Sequence, residues 1–176
     1  MVDGGIGANA VQELFMRIRS RRMFAFLTTP FLLSAQTSEV QTFSAAQIAE
    51  FEPALHAQAN ASNSNGTASR LLTKYPNYYT SLIYRDKDGQ VEVHNRFDEI
   101  MIILEGSAKI LTGGTGQNLR TTAAGELRGT EIVDGTPGAM EKGSTIHIPA
   151  GTPHQVFVPN GGSVTYIDIK IAHTHA

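Results

Sequence analysis

Gly143-Ser-Thr-Ile-His-Ile-Pro-Ala-Gly-Thr-Pro-His154 is the stretch whose reading decides the fold. Residues 145–148 alternate as a strand does, Pro149 fixes φ, and Gly151 permits φ > 0, so the chain can reverse within a few residues. His154 opens the next strand and is aimed back toward whatever the strands enclose. His147 precedes the turn at strand spacing. Upstream, Val91-Glu-Val-His-Asn-Arg-Phe-Asp-Glu-Ile-Met-Ile-Ile-Leu-Glu-Gly106 supplies a second inward candidate, His94, with carboxylates around it and a glycine at its end.

Working outward, the chain from Arg70 on is a series of short strands broken by turn signals, at residues 78–85, 90–94, 100–104, 108–111, 145–148, 154–158 and 164–171. Asp86-Lys-Asp-Gly89 reads as a hairpin turn with Gly89 suited to φ > 0. Residues 125–138 read as a long loop with short strands, including Glu131-Ile-Val133. No helical pattern intervenes, which predicts an all-β sandwich or barrel closed against exposed edges. Ahead of it, Ser44-Ala-Ala-Gln47 has the form of a capping box, and Ile48, Phe51 and Leu55 follow at helical spacing. Pro53 inside that pattern predicts a kink or two short helical pieces. Residues 59–67 are a polar, small-residue linker.

At 176 residues, 41% apolar and 17% charged, the chain has the composition of a globular domain with an appendage. A net charge of −2 gives no electrostatic case for nucleic acid or an anionic membrane. With no cysteine, any metal must sit on nitrogen and oxygen ligands. At the N-terminus, Arg17-Ile-Arg-Ser-Arg-Arg22, the apolar run of residues 23–33 and Ser34-Ala35 form the three parts of a secretory signal. Ser20-Arg-Arg-Met-Phe24 resembles the twin-arginine form of that signal. The competing reading is a basic amphipathic helix that stays on the protein. The expected division is an export signal at 1–35, a helical arm and linker at 36–69, and a β-barrel at 70–176, with a periplasmic or secreted mature protein that has no membrane attachment.

The two quoted segments together resemble the paired motifs of the cupin superfamily, and within it a group of small single-domain bacterial cupins. In the first motif Gly89, His94, Glu99 and Gly106 match, and Glu92 stands where the family has its first histidine. In the second, Gly143, Pro149, Gly151 and His154 match, and Val158 replaces the final asparagine. The resemblance covers residues 78–171. It implies a jelly-roll barrel, a double-stranded β-helix, preceded here by the short helical segment. It also implies one divalent metal ion (Fe, Mn, Zn or Ni) on His94, Glu99 and His154. Two histidines and a carboxylate resemble the facial triad of non-haem iron sites. Glu92 shares a strand face with His94 and reads either as a fourth, oxygen ligand or as a general base. His147 reads either as a further ligand or as a group orienting one. Asp98 alternates away from Glu99. Arg96 reads as leaving by a bulge, as pairing with Asp98 or as binding an anionic substrate, with pairing the default, and His173 and His175 are expected to form a frayed tail.

Two functions compete. One is a metal-dependent enzyme, dioxygenase-like or of isomerase or decarboxylase type, acting on a small molecule. The other is a module that binds a small molecule or a metal without turnover. A homodimer is the expected assembly.

Overall fold

The computed structural model describes residues 39–173. The compact unit Val40–Ala176 carries the site. The expected export signal at 1–35, and His175, lie outside the described residues.

Helix α1 (Ala45–Ala59) starts at the capping box: Gln47 N donates to Ser44 Oγ at 3.2 Å and Ser44 N to Gln47 Oε1 at 2.8 Å. It is a single helix that includes Pro53, where two pieces were one expectation. Pro53 and Ala49, whose carbonyl loses its helical donor, are both exposed, so water can serve that oxygen. Twelve strands follow: β1 (Thr67–Lys74), β2 (Tyr78–Arg85), β3 (Val91–His94), β4 (Phe97–Thr112), β5 (Thr115–Gly116), β6 (Arg120–Ala123), β7 (Glu126–Gly129), β8 (Ile132–Val133), β9 (Thr136–Glu141), β10 (Thr145–Ile148), β11 (His154–Phe157) and β12 (Val164–Ala172). The fold of the described residues is therefore all-β with one short helix. Ten strands form an antiparallel sheet in the order β1-β2-β12-β4-β11-β3-β7-β6, with β9 and β10 also on β4, curled into a half-barrel where a closed barrel was expected; β5 and β8 pair separately.

The curl depends on β4. The sequence suggested two strands, at 100–104 and 108–111; the structure has one, bent at Gly106. Before the bend it pairs with β10 and β12, and beyond it with β9 and β11. Gly106 has φ +73°, and a Cβ there would lie 2.0 Å from the Ser163 carbonyl oxygen. The β12 register shifts beside it, between Thr165 and Tyr166. A glycine is needed on both counts, so one strand serves both halves of the sheet.

Residues 86–89 also differ from expectation. They do not close a hairpin: β2 pairs with β1 and β12, whereas β3 pairs with β11 and β7. The segment crosses between the two halves, held to β11 by Gly89 N on Val156 O and Val158 N on Asp88 Oδ1, each 2.8 Å. Gly89 does not have φ > 0. A Cβ there would stand 2.6 Å from the Arg85 guanidinium and would push that side chain aside.

Strand alternation sorts side chains to two cores. Ile83, Met101, Ile103, Val156 and Tyr166 pack inside the barrel. Leu82, Tyr84, Leu104 and Ile167, on the opposite faces of the same strands, pack under Leu55 and Ala59 of α1. Because Tyr166 is inside and Ile167 outside, Asp168 and Lys170 point into the barrel. Among the described residues no helix is long and apolar enough to cross a membrane.

Two glycine substitutions separate strain from collision. Gly143 has φ +87° but open space around it, so Gly143→Ala should cost about 1–2 kcal/mol. Gly106→Ala meets backbone oxygen as well and should cost at least about 3 kcal/mol. Urea unfolding reads both as a lowered midpoint at constant slope.

Candidate metal centre

Four cross-strand pairs build the site. His154 on β11 stands opposite Glu92 on β3. His94 and Glu92 stand opposite Glu126 and Arg128 on β7. Glu99 on β4 stands opposite Lys170 on β12. Directly opposed side chains on one face lie close enough to interact, and here that face lines a cavity of about 230 Å³. The two histidine segments are fastened together by the turn that the sequence singled out. Gly151, at φ +79°, donates its amide to the His94 carbonyl at 3.0 Å, and Ala150 N donates to Asp98 Oδ1 at 2.8 Å.

Each imidazole is tied back through Nδ1. The His154 Nδ1 lies 3.1 Å from the Thr152 carbonyl, which can only accept, so that nitrogen carries a proton. The His94 Nδ1 lies 2.5 Å from Glu126 Oε2, and the carboxylate fixes the same tautomer. Both Nε2 atoms therefore turn into the cavity, and both are buried without a hydrogen-bond partner among the described residues. What faces them is oxygen. Glu99 Oε2 is 3.1 Å from His154 Nε2 and 3.5 Å from His94 Nε2, and Glu92 Oε2 is 3.4 Å from His94 Nε2. Lone pairs aimed at carboxylate oxygens in a buried site repel unless a cation, either a proton or a metal ion, lies between them.

The acids divide accordingly. Burial pushes the Glu92 carboxyl up, but contact with His94 and the charges of Arg128, His154 and Arg85 outweigh it and bring it down to about 2. Burial likewise opposes ionisation of Glu99, and contact with His154 and the Lys170 ammonium hold it well below the usual carboxylate range. Asp168 goes the other way, pushed up to about 8 by burial and the neighbouring Glu99 charge.

Glu92, His94 and His154 each bring one ligand atom into a group whose members lie within 4.8 Å of one another. Neutral imidazole nitrogens and a carboxylate oxygen are suitable donors for a divalent metal, and a carboxylate behind a ligand histidine is a recurrent second partner. The residues present fit such an ion. Glu99 lies beside the group, with its Oε2 2.7 Å from Lys170 Nζ. His147 does not join it. It sits opposite Ile100 on β10 and is exposed, because its neighbours Ile146 and Ile148 face the barrel core and alternation sends it outward. Asp98 faces away from the cavity and lies 3.3 Å from His173 Nδ1. Arg96, expected on Asp98, instead lies along Gly125.

The sequence reading missed Lys170, Asp168, Arg85, Glu126 and Arg128. A signal existed: Tyr166, Asp168 and Lys170 share one strand face, with Ile167, Ile169 and Ile171 on the other. Placing the isoleucines inside would have been the ordinary choice, and α1 is what reverses it.

No family model matches the chain, and no curated protein does. Among solved structures it is similar to KdgF from Halomonas sp., with 14% identity over 65% of this chain and 87% of that one, at a TM-score of 0.47. It is similar to the polyketide cyclase RemF from Streptomyces resistomycificus, with 15% identity over 61% of this chain and 66% of that one, at 0.45. It is also similar to the cupin domain of Schizosaccharomyces pombe Cnp3, with 12% identity over 61% of each chain, at 0.46. Identities this low concern the fold alone.

Asp168 supplies a pH test on metal-free protein. Between its ordinary value of 3.8 and about 8, the folded chain holds a proton here that the unfolded chain has released. Stability therefore falls as the pH rises through that window. Asp168→Asn mimics the protonated form, so its melting temperature should gain on the wild type between pH 5 and pH 8.5. A constant difference would contradict the assignment.

Proposed function

We propose that the barrel holds one divalent metal ion on Glu92, His94 and His154, and that the protein is a metal-dependent enzyme acting on a small molecule in the adjoining cavity. The observation that carries the metal reading is the pair of buried Nε2 atoms, each fixed by its Nδ1 partner and facing carboxylate oxygen. When bound, the ion supplies Lewis-acid polarisation, or a site for oxygen chemistry, at a position open to the cavity.

The carboxylate ligand in this reading is Glu92 rather than Glu99. Lys170, 2.7 Å from Glu99, already neutralises that side chain, whereas the Glu92 contacts to cations are 3.5 and 3.6 Å long. A carboxyl held at about 2 is also a weak base, which favours Glu92 as ligand over Glu92 as proton acceptor. Asp168 keeps its proton near neutral pH and is the cavity group suited to deliver one. Tyr79, pushed up to about 12 by burial and by the charges of Asp168, Glu126 and Glu99, stays a hydrogen-bond donor. The order of residues 17–35 supports export of the protein. A binding module without turnover is the second reading, favoured by the close pairing that engages Glu99 and Glu126.

Metal analysis and titration test the centre. The protein should take up one equivalent of Mn²⁺ or Zn²⁺. His154→Ala should abolish uptake, Glu92→Gln should weaken it at least tenfold, and Glu126→Gln should weaken it about 10–100-fold. The double variant Glu99→Gln/Lys170→Met, which removes that ion pair as a unit, should retain uptake. No uptake by the wild type, or loss in the double variant with retention in Glu92→Gln, would overturn the assignment.

A further inference from the structure

We propose that the cavity receives a small carboxylate and that Arg85 is the residue that binds it, a specificity assignment that rests on the metal-site reading above. Arg85 closes β2, is 7% exposed, and lines the same cavity as Glu92, His94 and His154. A guanidinium presents five donors in a planar fork and keeps its charge at any physiological pH. Here that fork has little to hold. Among the described residues its ion-pair partner is Glu92, with Oε1 3.6 Å from Nη2 and beyond hydrogen-bond reach, and the buried Nε has no hydrogen-bond partner. The other two cavity cations are engaged: Lys170 on Glu99 at 2.7 Å, and Arg128 on the Leu127 carbonyl at 2.9 Å.

The backbone reserves room for the unfilled fork. A Cβ at residue 89 would stand 2.6 Å from Arg85 Nη1. Residue 89 cannot step aside, because its amide donates to Val156 O and its carbonyl accepts from Gln155 Nε2, each at 2.8 Å. Charge points the same way. Three cations (Arg85, Arg128 and Lys170) share the cavity with three ionised carboxylates (Glu92, Glu99 and Glu126), while Asp168 holds its proton near neutral pH. A bound divalent ion therefore leaves the cavity with a positive excess, which a ligand carboxylate reduces. Planar, bidentate pairing with carboxylate is what the arginine fork does best. The volume of about 230 Å³ is the room of about eight waters at ~30 Å³ each, so the acid is a small one. Bound on Arg85, it lies beside Glu92, with the rest of the molecule directed toward the centre.

Calorimetric titration of Mn²⁺-loaded and metal-free protein tests this, using acetate, propionate and pyruvate against acetamide, propionamide and pyruvamide. The acids should bind the loaded protein at least tenfold more tightly than their amides. Arg85→Met should weaken the acids at least tenfold with Mn²⁺ uptake unchanged. Arg85→Lys should keep only part of the affinity, since it keeps charge without the fork. Gly89→Ala, which displaces the guanidinium without removing it, should weaken the acids with uptake intact and answers the question should Arg85→Met fail to fold. Equal binding of acid and amide, no binding of any acid, or wild-type acid affinity in Arg85→Met or Gly89→Ala would overturn the proposal. Failure of the metal reading is separately visible as absent Mn²⁺ uptake. Acid-over-amide selectivity of the metal-free protein that depends on Arg85 would then stand without it, and its absence would count against Arg85 as well.

Discussion

Two imidazole nitrogens that aim lone pairs at carboxylate oxygens inside a protein set the constraint on which this structure turns. His94 and His154 cannot rotate out of it, because Glu126 and Thr152 hold the opposite ring nitrogens. Glu99 is buried on β4 opposite Lys170, and Glu92 is held on β3 between His154 and Arg128. In a medium of low polarizability such an arrangement persists only with positive charge inside it. Lys170 supplies one such charge, to Glu99. The remaining need, between the imidazoles and Glu92, is what a divalent ion would meet.

The fold is the means of bringing these groups together from distant parts of the chain. Because β4 bends at Gly106 rather than ending there, the half of the sheet carrying Glu99 and Lys170 and the half carrying Glu92, His94 and His154 are joined by one continuous strand. The same curl turns the polar faces of β3, β7 and β12 inward. The apolar face of β12 is turned outward, where Ile167 finds its burial under α1 instead of in the barrel. A second apolar core under α1 thus adds to the one that shares the barrel interior with the charged groups. The helix allows a barrel of this size to devote part of its interior to charge.

That inversion also explains what could be read from the sequence and what could not. Local devices were legible: the Ser44–Gln47 cap, the reversal at Pro149–Gly151, and the inward aim of His154 all follow from backbone chemistry a few residues long. The histidine and glutamate positions followed from motif spacing. Alternation, however, reports which residues share a face and not which face is inside. Spacing leaves open whether His147 points inward, and its neighbours Ile146 and Ile148 take that side. Asp168 and Lys170 were passed over because isoleucines flank them. Arg85 and Gly89 depend on a crossover between sheet halves that no local pattern distinguishes from a hairpin. Cross-strand partners such as Glu126 are fixed by register, which pairs residues 32 positions apart.

The most direct measurement is anomalous X-ray diffraction from crystals soaked in Mn²⁺ or Zn²⁺. The account predicts one anomalous peak in the barrel, about 2.0–2.2 Å from His94 Nε2, His154 Nε2 and a Glu92 oxygen, with Lys170 still on Glu99. A barrel without a peak, or a peak bound through Glu99 with Lys170 displaced, would contradict it.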